Sequence, residues 1–572
     1  MIKHRLRSVI AYQIRASLTG VFRSGSLLIL FLSLFGKPSK GQFFDPQVFE
    51  NQVQDVVKRV SPACVKISGY DTVRNTATAG KFSGVVVSAD GLILTAAHAA
   101  TPNRVYKIYF PNGQEALAVG LGRMGSTDAA LIQIKSAGTW PYAEMGWSYN
   151  LKEHQACLSI SFPGSLETAV EPVVRMGYIA EPVARGGMIR TTCLMEPGDS
   201  GGPLFDMFGR VIGIHSRIEV ALDFNMEIPV DQFRKHWNSL KSPISYRSRE
   251  LPEPEEIGSD PLDGKQMVLE DLAVLPGYFT RQASAVGPSI VSISNSDTGK
   301  LVALGTIISP ARSNKKYIVS KASLIEKAPF IVTDKGRRVK AEILAVDDSS
   351  DLVVLKADIR GKAIELRNEY SDTLKKGEVG RFVISTSPDE KVRVGVFSAA
   401  YLRVPGRSGI GFLGVMSEQV DGRLRLNEVV PNSPAEKCSI KKGDLLEAVN
   451  DMAVASPEEL TNAMARFRPG DSVRFRLNRS DSVFYVNVAL GKRPEASRHA
   501  ADRFEEGKSD RKDGFPHVFV HDTPVRPEEC GGPVVDTDGN FLGINIARLS
   551  RTSTLAVPYS AILRLVGSVE AR

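Results

Sequence analysis

Short apolar runs separated by turn residues fill most of this chain. The runs are rich in Val, Ile, Leu and Thr, and Gly, Pro and Asp-Gly pairs punctuate them, as at Asp90-Gly91 and Asp538-Gly539. Such runs are typical of β-strands joined by tight hairpins. Helical periodicity is weak, so we expect helices only over about 45–60 and near the end of each of two repeated regions. The pattern predicts a mainly β protein built of barrels or sandwiches.

Several segments of the first half of the chain return in the second half in the same order. The matching pairs are 82–100 with 304–325, 126–134 with 349–357, 197–214 with 527–544, and 226–230 with 555–559. A duplicated domain explains this order better than chance. The copies differ in spacing, because a long interval separates the region of Gly395 from Pro527, whereas the corresponding segments of the first copy are close together. We infer that a module has been inserted into the second copy.

The repeat and the composition of the stretches between its parts divide the chain into successive segments. They are a leader over 1–41, a first domain over 47–240, a linker over 241–268, a second copy over 269–406 plus 515–572, an inserted module over 407–494, and a second linker over 495–514. Both linkers are rich in Pro, Ser or charged residues.

The leader has the order of segments that is typical of a secretory signal. Basic residues precede an apolar run over 27–35, and Lys37-Pro38-Ser39-Lys40-Gly41 follows it. The run is shorter than the roughly 20 residues of a membrane-spanning helix. The sequence predicts an exported, periplasmic or extracellular protein, cleaved near Gly41, and the alternative is a membrane anchor through 27–35.

Composition narrows the range of partners and cofactors. The formal charge of +8 comes from 72 basic and 64 acidic residues without a long basic block, so nucleic acid is not an implied partner. Eight His residues form no cluster with metal-ligand spacing, and no metal or organic cofactor is expected. Five cysteines are too few and scattered for a disulfide-stapled scaffold. Cys157 with Cys193 is one candidate bridge, and the alternative is that all five are small buried apolar residues.

The first copy contains each group that peptide hydrolysis requires. Ser200 lies in the segment Gly-Asp-Ser-Gly-Gly-Pro, whose glycines let the N–H groups of Gly198 and Ser200 point to one place. His98 ends the segment Leu-Thr-Ala-Ala-His, where a strand leads into a turn of small residues. Asp128 precedes an apolar strand, where its carboxylate could be desolvated and hold the imidazole tautomer.

These motifs resemble those of trypsin-like serine proteases, and the run Thr-Asp-Ala-Ala-Leu-Ile-Gln is most similar to the HtrA/Deg branch. The resemblance implies a double β-barrel, with His98 and Asp128 on the first barrel and Ser200 on the second. It implies that these three residues form the catalytic triad of a serine endopeptidase. The oxyanion hole would be formed by Gly198, Asp199 and Ser200.

The same resemblance locates a primary specificity pocket. It implies that Leu194, Met195 and the segment Ile214-His215-Ser216 lie near this pocket, with no acidic residue at its base. We therefore expect small or medium aliphatic side chains before the scissile bond.

The second copy lacks most of this machinery. Alignment of the copies puts Ser323 at the position of His98 and Cys530 at that of Ser200, while Asp351 matches Asp128. Glu528 replaces Gly198 in the oxyanion turn. The second copy is therefore predicted to be a degenerate trypsin-like domain, a pseudoprotease that packs on, positions or regulates the first. The alternative is that Cys530 is itself a nucleophile.

The inserted module is similar to PDZ domains of the HtrA type. The resemblance rests on Phe412-Leu413-Gly414-Val415, on the Ser-Pro-Ala-Glu segment over 433–436 and on the Lys-Gly-Asp-Leu-Leu segment over 442–446. Such a domain accepts an extended peptide as an added strand and captures its terminal carboxylate on loop N–H groups, here those of 412–415. The alternative is a packing module without a ligand.

Taken together, the resemblance implies an exported endopeptidase for unfolded or damaged proteins. Its partners would be protein or peptide substrates and C-terminal peptides at the PDZ domain, and homo-oligomer formation is left open. The rival hypothesis is a non-catalytic scaffold protein whose first domain is latent.

Overall fold

A computed structural model describes residues 44–247, 251–268, 275–333, 336–367, 374–388, 392–406, 411–464, 466–492 and 499–571. The predicted leader over 1–41, with its apolar run over 27–35, lies outside these residues. Within the ranges described, no helix is both long and apolar enough to cross a membrane.

The first copy begins with helix α1 (Pro46–Val60), which is followed by two barrels. The first barrel contains β1 (Cys64–Asp71), β2 (Thr76–Val86), β3 (Leu92–Ala96), β4 (Val105–Tyr109), β5 (Glu115–Met124) and β6 (Ala129–Ile134). The second contains β7 (Ala156–Ser161), β8 (Val173–Glu181), β9 (Ile189–Thr191), β10 (Pro203–Asp206), β11 (Val211–Ile218) and β12 (Asn225–Pro229). Helices α2 (Val230–Lys235) and α3 (Trp237–Lys241) and strand β13 (Ser245–Tyr246) end the copy.

Both sheets of the first copy close into rings. Strand β5 pairs with β4 and with β6, which completes the ring β5-β4-β1-β2-β3-β6, and the second sheet is a closed barrel of order β10-β11-β12-β9-β8-β7. Along β5 every second residue is buried, as expected for a strand with one face on a barrel core. Burial of the apolar strand faces stabilises the barrels, at about 1.5–3 kcal/mol for each large side chain removed from water.

The second copy and the inserted module follow in chain order. Before the module come α4 (Leu275–Tyr278), α5 (Thr280–Val286), β14 (Ile290–Ser294), β15 (Leu301–Pro310), β16 (Tyr317–Lys321), β17 (Phe330–Val332), β18 (Arg338–Lys340), β19 (Glu342–Asp347), β20 (Leu352–Lys356), β21 (Ile364–Leu366), β22 (Phe382–Thr386) and β23 (Val392–Val404). The module contains β24 (Val415–Val420), β25 (Arg423–Val429), α6 (Pro434–Lys437), β26 (Leu445–Val449), β27 (Met452–Ala453), α7 (Pro457–Met464), β28 (Ser472–Arg479) and β29 (Ser482–Ala489). After it come β30 (Phe515–His521), β31 (Pro533–Val535), β32 (Phe541–Arg548), β33 (Thr554–Pro558) and α8 (Tyr559–Glu570).

The second copy repeats the two-ring arrangement. Its first sheet has the order β18-β17-β14-β15-β16-β20-β19, and the consecutive strands β18 and β19 together take the place of β5. Strands β22, β23, β30, β33, β32 and β31 form a closed barrel, which the module interrupts between β23 and β30. The mainly β fold with paired barrels is therefore confirmed.

Backbone details also repeat between the copies. Asp128 and Asp351 both have left-handed backbone conformations, with φ of 61° and 58°. The carbonyl of each accepts a hydrogen bond from the equivalent alanine amide, Ala97 at 2.6 Å and Ala322 at 2.7 Å. Such conformations are uncommon for residues other than glycine. Their presence at matching positions supports the duplication that the sequence predicts.

The described parts of the two stretches predicted as linkers, 241–247 with 251–268 and 499–514, contain residues that pack on the barrels. In the first, Asp260 forms a buried ion pair with Arg210 of the second barrel at 2.7 Å. In the second, Ala501, Phe504 and Ser509 are buried. The polar and charged composition of these stretches does not predict such contacts. They form because charged groups pair with opposite charges on the barrels and the few apolar groups are covered.

The helix expected over about 45–60 is α1, and α2, α3 and α8 lie near the ends of the copies. Helices α4 to α7 were not expected, since each is too short to produce a clear period. The cysteines are free thiols, and the Sγ atoms of Cys157 and Cys193 lie 3.8 Å apart in the core. Cys438 is half-buried and the other four are buried.

Candidate active site

The pairing of β3 with β6 brings His98 and Asp128 together. Ala96 at the end of β3 lies opposite Ala129 at the start of β6, so Asp128 and the turn that carries His98 share one edge of the barrel. The backbone N–H of His98 donates to Asp128 Oδ1 at 2.9 Å. Arg123 donates to the carbonyls of Ala97 and Ala100 and holds the turn that carries the imidazole.

The imidazole of His98 is oriented by the carboxylate of Asp128. His98 Nδ1 lies 2.9 Å from Oδ2 and 3.1 Å from Oδ1, and Ser216 Oγ donates to Oδ2 at 2.5 Å. The aspartate is buried, whereas about half of the histidine side chain is exposed. Burial opposes ionisation of Asp128, but the hydrogen bonds from His98 and Ser216 outweigh it and lower the pKa of the carboxyl.

Ser200 lies on the turn that precedes β10, and strand β2 of the other barrel holds this turn. Ser83 N donates to the carbonyl of Ser200 at 2.9 Å, and Ser83 Oγ donates to the carbonyl of Gly198 at 2.9 Å. Ser200, His98 and Asp128 line the same cleft. Among the described residues no hydrogen bond joins Ser200 Oγ to the His98 ring, so this contact must form when the cleft is occupied if the serine is to be activated.

The turn before Ser200 needs glycine and leaves two amides free. Gly198 has φ of +106°, and a Cβ there would lie 2.5 Å from the amide nitrogen of Gly164. In the described part of the chain, the N–H groups of Gly198 and Ser200 have no hydrogen-bond acceptor. Asp199 differs from the sequence-based expectation, because its N–H donates to the carbonyl of Glu196 at 3.1 Å.

The side chain of Asp199 is a structural anchor. Its carboxylate is completely buried, lies 2.8 Å from Arg175 Nη1 and accepts from Ser161 Oγ at 2.8 Å. It also accepts the N–H of Glu196 at 2.8 Å. These bonds fix both ends of the oxyanion turn on the second barrel, and sequence reasoning had no signal for Arg175.

The predicted specificity residues are only partly together. Met195, His215 and Ser216 line the cleft, whereas Leu194 and Ile214 are not among its lining residues. The ring of His215 is buried, with Nδ1 2.6 Å from Glu227 Oε2 and Nε2 2.6 Å from Ser159 Oγ. Its imidazole therefore stabilises the barrel core, while Ser216, as described above, supports Asp128.

The corresponding cleft of the second copy is arranged differently. Ser323 Oγ donates to Asp351 Oδ2 at 2.8 Å, and Lys321 Nζ, at the position of Ala96, lies 2.5 Å from the same oxygen. A short 3₁₀ turn over Pro527–Glu529 replaces the oxyanion turn, so the N–H of Cys530 donates to the carbonyl of Pro527 at 3.3 Å. Burial raises the pKa of the Cys530 thiol.

The inserted module presents an edge strand beside a loop with free amides. Strand β24 is at the edge of the sheet β24-β25-β26-β28-β29 and packs near α7. In the preceding loop Phe412 exchanges backbone hydrogen bonds with Gly491 at 2.8 and 3.0 Å. The N–H groups of Leu413 and Gly414 have no acceptor among the residues described.

Comparisons with known proteins find similar domains and similar relatives. A family model of the trypsin-like peptidase domain matches residues 82–214, and a model of the PDZ domain matches residues 411–490. Over 425 residues the chain is 25% identical to the "Probable periplasmic serine endoprotease DegP-like" of Halomonas elongata, covering 72% of this chain and 79% of that protein. Over 204 residues it is 32% identical to "Serine protease HTRA1" of Xenopus tropicalis, covering 33% of this chain and 43% of that protein. A solved serine endoprotease from Yersinia pestis is similar with 17% identity and a TM-score of 0.28, covering 78% of this chain and 98% of that chain.

The barrel pair, its cleft and the peptidase match together define a trypsin-like serine endopeptidase. The matched peptidase segment contains His98, Asp128 and Ser200. The PDZ match and the DegP-like and HTRA1 relatives support an HtrA-type serine protease with a PDZ domain.

Proposed function

We propose that this chain is an exported endopeptidase that hydrolyses unfolded or damaged proteins with a triad of His98, Asp128 and Ser200. The observation that carries the proposal is the imidazole of His98, held 2.9 Å from a buried carboxylate in the cleft that Ser200 lines. The relatives named as periplasmic endoproteases support export and peptide substrates.

In this mechanism Ser200 Oγ attacks the carbonyl carbon of the scissile bond while His98 Nε2 takes its proton. Asp128 holds the imidazole tautomer and stabilises the imidazolium. The free N–H groups of Gly198 and Ser200 donate hydrogen bonds to the developing oxyanion, which is where such donors stabilise the transition state most. His98 then protonates the leaving amine, and water attacks the acyl-enzyme by the same route.

The proposed domain roles follow from the differences between the copies. The segment 47–240 is the catalytic domain, and 269–406 with 515–572 is a pseudoprotease. Among the described residues, the second site contains no imidazole at the position of His98, its thiol is buried, and the amide that would serve the oxyanion is already bonded. These features favour a positioning role over the alternative in which Cys530 is a nucleophile.

Digestion of a denatured model protein tests the proposed function. The full chain is expected to produce internal fragments, with cuts after small or medium aliphatic residues, because none of the residues predicted to lie near the specificity pocket is acidic. Mass spectrometry of the fragments measures both points. Intact substrate after prolonged incubation would contradict the function, and cuts confined to Lys and Arg would contradict the specificity.

The PDZ module is expected to bind peptides through their free C-terminus. A peptide strand would add to the edge of β24, and its carboxylate would accept the N–H groups of Leu413 and Gly414. Fluorescence anisotropy should show that C-terminal amidation weakens binding at least tenfold, because a charge-assisted hydrogen bond is worth roughly 1.5–3 kcal/mol. Equal binding of the acid and the amide would favour the packing-module alternative.

A further inference from the structure

The hairpin loop 549–553 of the degenerate copy is buried against the catalytic copy. It joins β32 to β33 and has the polar sequence Leu-Ser-Arg-Thr-Ser, which would suit a solvent-exposed turn. Arg551 and Thr552 are nevertheless each only 1% exposed. The matching loop of the first copy, 219–224, joins β11 to β12 and is largely open to solvent. The two loops have matching positions in the duplicated fold, but only the loop of the second copy is buried.

Thr552 contacts the start of the oxyanion turn. Its Oγ1 donates to Glu196 Oε2 at 2.9 Å, and Glu196 Oε1 accepts the N–H of Ser165 at 2.8 Å. Glu196 is 5% exposed, so the threonine is one of the few groups that satisfy a buried carboxylate. The backbone of Glu196 in turn exchanges hydrogen bonds with Asp199, at 2.8 and 3.1 Å. Thr552 is thus linked, through Glu196, to the turn that carries the free amides of Gly198 and Ser200.

Arg551 contacts the segment that directly follows two cleft-lining residues of β11. Its Nη1 donates to the carbonyl of Glu219 at 2.6 Å, and Nη2 donates to the carbonyl of Ala221 at 3.1 Å. Residues 217 and 218, immediately before this segment, line the cleft. A planar guanidinium that bridges two carbonyls fixes the direction as well as the position of the backbone.

Arg548 gives the loop its shape from inside the degenerate copy. It is completely buried, and its Nη2 donates to the carbonyl of Arg551 at 2.6 Å. The loop is therefore organised before it reaches the catalytic copy, which is the condition for a positioning element.

We propose that the 549–553 loop of the pseudoprotease completes the active site, with Thr552 positioning the oxyanion turn and Arg551 positioning the wall of the substrate cleft. Both residues act through others and touch no substrate. The inference rests on the proposed function, and it gives the second copy a task for which it needs no triad.

The chain offers a matched control for Thr552. Thr537, also in the second copy, is 8% exposed and donates to the buried carboxylate of Glu50 on α1 at 3.1 Å, away from the cleft. Thr552→Val and Thr537→Val each remove a buried hydroxyl from a carboxylate while keeping the shape of the side chain. Thr552→Ser keeps the hydroxyl and should rescue the loss.

Kinetics on the full chain with a quenched peptide, normalised by active-site titration, give the first readout. Thr552→Val is expected to lower kcat roughly tenfold, Thr537→Val to leave it unchanged, and Thr552→Ser to restore it. Arg551→Lys, which cannot bridge both carbonyls in the same plane, should raise KM several-fold with little change in kcat. Normal kcat in Thr552→Val together with normal KM in Arg551→Lys would overturn the proposal.

Hydrogen exchange gives a readout that does not depend on catalysis. Amides of 196–201 should exchange faster in Thr552→Val than in Thr537→Val or the parent chain. If the parent chain is inactive but shows this exchange difference, the proposed function is wrong and the positioning role of Thr552 stands. If exchange across 196–201 is unchanged in Thr552→Val, Thr552 does not position the oxyanion turn, whatever the activity of the parent chain.

Discussion

Ser200→Ala is expected to lower kcat by about a millionfold, which is the scale found when a triad nucleophile is removed. The methyl group cannot attack a carbonyl, and no other described hydroxyl lines the cleft next to both His98 and the free amides of the turn. A small residual rate above that in water should remain, because the amides and the binding cleft are unchanged. Hydrolysis of a quenched peptide measures the loss, with enzyme concentration set by absorbance.

The matched control for this variant is Cys530→Ala. Cys530 has the same place in the duplicated fold but lies buried beside Ser509, with its Sγ 3.8 Å from the serine Oγ. Its removal should leave the rate unchanged. Full activity in Ser200→Ala, or loss of activity in Cys530→Ala with the fold retained, would show that the reaction depends on a nucleophile other than Ser200.

Asp128→Asn should lower kcat by about ten-thousandfold while the domain stays folded. The amide would present an N–H group to His98 Nδ1 or to Ser216 Oγ, both of which now face carboxylate oxygens. The imidazole would then favour the tautomer that cannot accept the Ser200 proton. Peptide hydrolysis measures the loss, and circular dichroism checks the fold.

The pH dependence separates this effect from simple protonation. The pKa of Asp128 is lowered, so its carboxylate persists to more acidic pH than an ordinary aspartate, and mild acidification should not protonate it. A matched variant, Ser323→Ala, removes the hydroxyl that donates to Asp351 in the second copy and should leave kcat unchanged. A loss of less than tenfold in Asp128→Asn would show that the carboxylate does not orient the catalytic base.

The residues with local signals could be predicted from the sequence. His98, Asp128 and Ser200 each lie in a short segment whose neighbours also carry information, namely a strand end, an apolar strand and a glycine turn. The duplication was equally visible, because strands and turns recur in order. The barrel fold followed from the same patterns together with the family resemblance.

The residues that act over long sequence separations could not be predicted in this way. The hydroxyl of Thr552 reaches Glu196 across 356 positions, and nothing near either residue indicates the contact. Ser216 was placed in the specificity pocket by resemblance, yet its hydroxyl lies on Asp128. Ser216 lies on the second barrel and Asp128 on the first, so this contact depends on how the two barrels pack and not on the residues next to either one in the sequence.

The degenerate site shows the same limit. Alignment put Ser323 at the position of His98, but the charges that face Asp351 come from Arg511, 3.5 Å away, and from Lys321, two residues before Ser323, which replaces Ala96. A buried ion pair of this kind depends on its surroundings to offset desolvation. The sequence shows that a lysine replaces Ala96, but it does not show that this lysine pairs with Asp351.

Labelling of the full chain with a fluorophosphonate, followed by peptide mapping, tests the central claim most directly. A serine whose proton is removed by an oriented imidazole reacts with this probe, whereas a latent one does not. We expect one adduct, on Ser200, which is absent from Ser200→Ala and from chain unfolded beforehand. An unlabelled Ser200 in folded chain would contradict this expectation and would favour a scaffold with a latent first domain.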